Sequence, residues 1–173
     1  WDFRSTACDL VRENYFEYFR DLCHQAGKKF TAEAYGSDGT LNVVECAKTA
    51  DVTMCSGGGY YYTKMASSPA HLYGKKVVSA EAFTATRASG SDWTYAFNEL
   101  KPWADNFLAS GINHFTYHVY TAQPFDDSVR PGLTLARWGT HFHRTQTWWK
   151  EMPAFSTYLA RSSYLLQQGR FVG

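Results

Sequence analysis

Charge is scarce in these 173 residues, and so is any long apolar run. Charged side chains make up 19% and sum to +1 at pH 7. A chain this close to neutral has no broad field to draw nucleic acid or an anionic membrane, and neither is expected as a partner. No apolar stretch is long enough to span a bilayer. The four cysteines, Cys8, Cys23, Cys46 and Cys55, show no C-x-x-C spacing. That spacing gives no sign of a zinc site or a redox pair, and the residues read as buried free thiols, or as a disulfide if the protein is exported. The sequence has no G-x-S-x-G, no P-loop, no G-x-G-x-x-G and no H-E-x-x-H. A hydrolase elbow, phosphate cradling by a glycine loop and zincin chemistry are thereby set aside. "SGGGYYY" has the glycines of a phosphate loop without its lysine, and reads as a flexible loop. The chain opens at Trp1 without a leader and reads as an internal piece of something longer, so a missing leader says nothing of compartment.

What is present in quantity is aromatic. Six Trp, 12 Tyr and 12 Phe stand in a chain that is 45% hydrophobic. That content suits a globular core, and the same rings can line a sugar-binding cleft. One stretch is written twice: "GKKFTAEAYG" from Gly27 and "GKKVVSAEAFT" from Gly74, each with one acid, Glu33 and Glu81.

The repeat belongs to a larger alternation. Residues 9–26 place Val11, Tyr15, Phe19, Leu22 and Ala26 on one helical face, with Asp9 as the cap and Gly27 as the stop. A strand over "KKFTAEAYG" comes next, then a polar stretch around "GSDGT" and a short strand "DVTMC" at 51–55. Then come a helix near 64–73 ending at Gly74, the strand "KKVVSAEAF", a helix over "FNELKPWADNFLAS" ending at Gly111, and the strand "INHFTYHVY". Pro102 can mark the start of that helix, being tolerated in a first turn. A helical region over 144–168 ends at Gly169, with a split or kink at Pro153. Strands separated by helices predict a parallel α/β sheet, either doubly wound or a (β/α)8 TIM barrel. Long loops after the strands, carrying the polar and acidic residues, favour the barrel, as do the lack of a glycine-rich phosphate turn after any strand and units near the ~30 to 50 residues expected when ~250 residues make eight of them. The four units are then the C-terminal portion of one catalytic barrel. Half a barrel has open edges and should not be stable alone, so further strands and domains of the same polypeptide are expected as partners.

Barrel strands point their C-terminal ends into the active site, which would bring Glu33 and Glu81 over one cleft. Glycoside hydrolysis needs such a pair, one as acid and one as base or nucleophile. The bland alternative is a strand-end glutamate bonded to a lysine or a backbone amide. In "INHFTYHVYTAQP", His118 and Tyr120 share a strand face, and His118 either bonds a sugar hydroxyl, orients a carboxylate or is a satisfied core group. "RWGTHFHRTQTWW" holds Trp138, His141, His143, Arg144, Trp148 and Trp149. The H-x-H pair invites a metal but lacks a third ligand, and aromatic platforms with polar neighbours suit sugar rings better.

Four blocks, "SSPAHLYGKKVVSAEAFTA", "LKPWADNFLASGINHFTYHVYTAQP", "PGLTLARWGTHFHRTQTWW" and "YLARSSYLLQQGRFV", resemble the catalytic barrel of glycoside hydrolase family 106, the large α-L-rhamnosidases. The resemblance covers the whole chain and is strongest from Ser67 to Val172. It implies an inverting acid/base hydrolase acting on terminal α-L-rhamnose of a carbohydrate substrate, secreted or periplasmic, with a calcium ion (Ca2+) in some members. Carried across by block, it implies Glu33 and Glu81 as catalytic residues. It implies His118, Gln123, His141, Arg144, Trp148 and Trp149 as substrate-binding and assigns no metal ligand; the reading of the residues in the same segments adds Tyr120, Trp138 and His143 to that set. The chain departs from the family pattern after "DVTMC", where a Gly-Glu-Phe-Trp type block is usual and "CSGGGYYY" carries no acid. Two alternatives stay open: a glycosidase for another sugar such as a galactoside or glucoside, and an inactive carbohydrate-binding barrel.

Overall fold

The computed structural model describes residues 1–34, 41–57, 59–85, 93–135 and 137–172; the polar stretch at 36–40 lies outside them. Four strands, β1 (Thr31–Glu33), β2 (Val52–Ser56), β3 (Val78–Ala82) and β4 (His114–Tyr117), form one parallel sheet in the order β1-β2-β3-β4. The register pairs Glu33 with Met54, Met54 with Ser79, Ser56 with Glu81, and Glu81 with Thr116. Neighbours in sequence are neighbours in space, and no reversal of order occurs among the four. No helix of the described residues is long and apolar enough to cross a membrane.

The first helix runs as α1 (Asp2–Val11), a π-helical turn (Arg12–Glu17) and α2 (Tyr18–Gln25). It therefore starts before Asp9, which lies inside it and faces Arg12 at 3.7 Å instead of capping. A turn with i→i+5 bonding rotates the later residues of the helix relative to a 3.6-residue stripe. Phe16 becomes the buried residue, packed with Val11, Phe30 and Ala32, while Tyr15, Phe19 and Leu22 of the expected face are exposed. Asp51 ties this helix to the sheet: its Oδ2 meets His24 Nε2 at 2.8 Å and accepts from the Phe30 N–H at 2.7 Å.

A helix not foreseen in the sequence, α3 (Val43–Thr49), is capped by Asn42, whose Oδ1 accepts from the Glu45 N–H at 3.3 Å. α4 (Tyr60–Leu72) begins earlier than expected, so the three tyrosines of "SGGGYYY" form its first turn and are not loop. α5 (Phe97–Ala109) starts five residues before Pro102, because Glu99 Oε2 reaches back to the Ala96 N–H at 3.0 Å and closes the first turn there. α6 (Met152–Gln168) does not kink at Pro153. That proline sits in its first turn, where the missing N–H has no helical partner to lose. Residues 144–148 are turns, and Trp149–Glu151 is a 3₁₀ turn.

The repeated glycine is a helix stop. Gly27, Gly74 and Gly111 all have positive φ, and the next residue's N–H returns to the helix: Lys28 to Cys23 O at 2.8 Å, Lys75 to Ala70 O at 2.8 Å, Ile112 to Phe107 O at 3.0 Å. This closure satisfies the last carbonyls and launches the strand. Gly111 is also sterically tight, since a Cβ there would stand 2.8 Å from His71 Cε1 and 3.1 Å from Ser67 Cβ. Gly111→Ala combines that clash with a left-handed φ, and is expected to destabilise this unit by about 1–3 kcal/mol, read as faster amide exchange in β4.

One side of the sheet meets the helices. Cys55, Val78, Ala80 and Ala82 pack with Ala66 and Ala70 of α4 and with Leu100, Ala104 and Phe107 of α5. Alanines on β3 let the helices come close. Phe83, the first residue past β3, is fully buried and has φ 72°. A bulky residue in that region costs on the order of 1–3 kcal/mol. Here the burial offsets it, because the ring lies within 5.6–6.2 Å of Trp103, Phe107, Phe115, Tyr117, Phe142 and Phe155.

Candidate active site

Strand alternation sends the complementary residues to the opposite side of the sheet, away from α4 and α5. Along that face the register makes two rows. Glu33, Met54, Ser79 and His114 form one; Ser56, Glu81 and Thr116 form the next, closer to the strand ends. Ser79 Oγ and His114 Nδ1 are 2.8 Å apart, closing the first row. The two acids of the repeated stretch thus stand on one face, on strands separated by β2.

Their environments differ. Glu33 is half-buried, and its Oε1 is buried without a hydrogen-bond partner among the described residues. Burial, and after it the charge of Glu81, pushes the Glu33 carboxyl from its ordinary 4.5 up to about 7. Glu81 is held by hydroxyls: Ser56 Oγ donates to Oε1 at 3.4 Å and Thr84 Oγ1 to the same atom at 3.2 Å. Cys55, on the helix side of β2, is pushed up to about 12 by burial and then by the charges of Glu33 and Glu81, which makes it an unreactive thiol. All four cysteines are free.

His118 lies just past β4. Its N–H donates to Ala82 O at 2.9 Å, and its Nδ1 is 2.8 Å from Gly139 O. A carbonyl only accepts, so Nδ1 is the donor in this contact. The segment around Gly139 crosses the strand ends and is stitched to them: Gly139 exchanges two bonds with Ala85, Thr140 N–H donates to Phe83 O, and Val119 N–H donates to Thr140 O. The strand itself ends at Tyr117, so His118 and Tyr120 do not share a strand face as expected; Tyr120 forms an isolated bridge with Phe142.

The remaining residues singled out in the sequence are dispersed. His141 is fully buried, its ring 3.8 Å from that of Trp93. His143, also buried, accepts the Thr145 N–H at Nδ1 (3.1 Å), and burial followed by the Arg144 charge holds its pKa below the ordinary value, against a weaker pull from Asp127. Arg144 pairs with Asp127 Oδ1 at 2.9 Å. Gln123 bonds Val129 O and the Phe125 N–H, bracing its own loop. Trp148 packs on Phe97 and Phe142 in the core. Tyr120 and Trp149 line an apolar groove of about 470 Å3 together with Tyr117 and Met152, on the helix side of β4. Trp138 is partly exposed beneath the Arg137 guanidinium, 5.0 Å from its ring.

Among the described residues, no three His, Cys, Asp or Glu side chains gather as a metal would require. Two residues at the site, Ser56 and Thr84, carry no signal that sequence reasoning picked up. Ser56 stands where the family pattern made an acid the thing to look for, and Thr84 reaches Glu81 only because Phe83 turns away.

The model for the family described as alpha-L-rhamnosidase, glycoside hydrolase family 106, matches residues 1–173. A protein of Formosa agariphila named "Putative beta-glucuronidase" is 44% identical over 177 residues, which cover 99% of this chain and 14% of that protein. The solved structure of a rhamnosidase from Novosphingobium sp. PP1Y superposes with a TM-score of 0.88 at 31% identity, covering 98% of this chain and 17% of that one. The chain therefore spans a small share of the proteins it matches. With a family match over its whole length, the chain belongs to glycoside hydrolase family 106.

Proposed function

We propose that the complete polypeptide carrying this chain hydrolyses terminal α-L-rhamnosides with inversion, that the four strands are part of a (β/α)8 barrel, and that Glu33 is the acid and Glu81 the base. The sequential parallel order of the strands, with Glu81 and its neighbours Ser56 and Thr116 at one end of the sheet, supports the barrel reading. The observation that carries the chemistry is the pairing of Glu33, pushed up to about 7 by burial and by Glu81, with a second carboxylate on the same face. Two carboxyl groups driven apart by their environments divide into acid and base roles. Glu33 gives its proton to the glycosidic oxygen as the bond from the anomeric carbon to that oxygen breaks. A water attacks the same carbon from the opposite face and loses its proton to Glu81. Sugar hemiacetal and alcohol leave, and the two carboxyls exchange their proton with solvent. Proton NMR of the first-formed anomer tests the stereochemistry: β-rhamnose is expected, and α-rhamnose as first product contradicts inversion.

The assignment carries a pH dependence. An acid that ionises near 7 gives kcat/KM an alkaline limb centred there, and Glu33→Gln removes the limb along with most of the rate. Stability depends on the same group. Its folded pKa lies above the ordinary 4.5, so the folded state binds the proton more tightly, and its contribution is complete below pH 4.5 and lost as pH rises through about 7. Amide exchange at β1 in Glu33→Gln should lose that dependence between those limits.

A second reading, a glycosidase for another sugar, is favoured by the name of the 44% identical relative. Aryl β-glucuronide and galactoside beside the rhamnoside separate the two.

A further inference from the structure

Resting on the reading of Glu81 as base, we propose that Ser56 and Thr84 are positioning residues that fix the rotation of its carboxyl. Both hydroxyls converge on one oxygen, Oε1, from different segments. Ser56 is the register partner of Glu81 on β2, and its side chain falls on the same face. Thr84 arrives by another route. Regular alternation past Ala82 would place Phe83 beside Glu81 and turn Thr84 to the helix side. The left-handed φ of Phe83 reverses this: the ring joins Ala82 in the core, and the next side chain returns to Glu81. The strained residue and the hydroxyl it delivers therefore form one device.

Two neutral donors on Oε1 orient the carboxyl plane without cancelling its charge, and leave Oε2 to take the proton from water. A cation in the same place would lower the basicity that the step requires. At 3.4 and 3.2 Å both bonds lie at the long end of the hydrogen-bond range. The departure at "CSGGGYYY" then has a local consequence: the residue ending β2 serves the base as a donor instead of supplying an acid of its own.

The test uses the complete polypeptide and an aryl α-L-rhamnoside. Ser56→Ala and Thr84→Val should each lower kcat about tenfold, the worth of one oriented bond to a charged group, with KM within about twofold. The double variant should lose about 100-fold. Ser56→Thr and Thr84→Ser keep the hydroxyl while changing bulk, and should retain most of the rate. Unchanged kcat in the double variant overturns the proposal. So does equal loss in the conservative variants, which would report packing alone. An inactive parent across all three aryl glycosides overturns the reading of Glu81 as base and the proposal with it, a result distinct from an active parent whose variants are unaffected.

Discussion

Glu81→Gln is expected to lower kcat by about 10²- to 10⁴-fold on every aryl glycoside the parent accepts, with KM little changed. The amide keeps the shape and the acceptor oxygen for the Ser56 and Thr84 hydroxyls, so the fold around β3 stays intact while the base is removed. Leaving-group quality should not rescue it, because water must be deprotonated whichever alcohol departs. The variant also acts on its neighbour. Glu81's charge is the second cause, after burial, of the raised Glu33 carboxyl, and its removal should move any residual alkaline limb toward lower pH. An inactive sugar-binding barrel predicts otherwise: Glu81→Gln would leave affinity for saccharide unchanged, and parent and variant would release no chromophore.

Phe83→Ala should produce the largest loss of stability, about 3–5 kcal/mol, because a fully buried ring contacting six others leaves a cavity at the centre of the core. Alanine also keeps the steric cost of φ 72°. Glycine does not, so Phe83→Gly should be no less stable than Phe83→Ala although it removes one carbon more. In a long polypeptide a single global transition is not expected, and hydrogen exchange at the β3 amides is the appropriate readout. If alanine proves more protected than glycine by about 1 kcal/mol or more, the strain assigned to Phe83 is absent. Because Thr84 is placed by the same backbone turn, both variants should also lower kcat.

Helix, glycine and strand are legible in the sequence because their signals are local. The positive φ at Gly27, Gly74 and Gly111 and the strands after them arise from residue type and spacing. That both glutamates stand on one face is not local in this sense: Glu33 lies six residues after its glycine and Glu81 seven, and only the register across β2 puts them on the same side. Three departures have a different origin. The exposed Tyr15, Phe19 and Leu22 reflect a π turn whose bonding no periodicity reveals. The first turn of α4 reads as loop because the glycines before it suggest flexibility, whereas Gly59 is its N-cap. α3 carries a readable sign, Asn42 three residues before Glu45, that the polar stretch before it obscures. At the candidate site, the aromatic and histidine-rich segment suggests a sugar platform by composition, yet burial sends Trp148 and His141 inward. Thr84 could not be foreseen, since its place depends on a strained φ sustained by rings far along the chain.

The division of roles between the two acids is tested most directly by the leaving-group dependence of Glu33→Gln in the complete polypeptide. A 2,4-dinitrophenyl α-L-rhamnoside needs no proton on its departing oxygen, whereas an alkyl rhamnoside does. If Glu33 is the acid, the variant should hydrolyse the first within about tenfold of the parent and lose about 10²- to 10⁴-fold on the second, with its alkaline limb near pH 7 gone. Equal losses on both substrates, or an unchanged pH profile, would contradict the assignment.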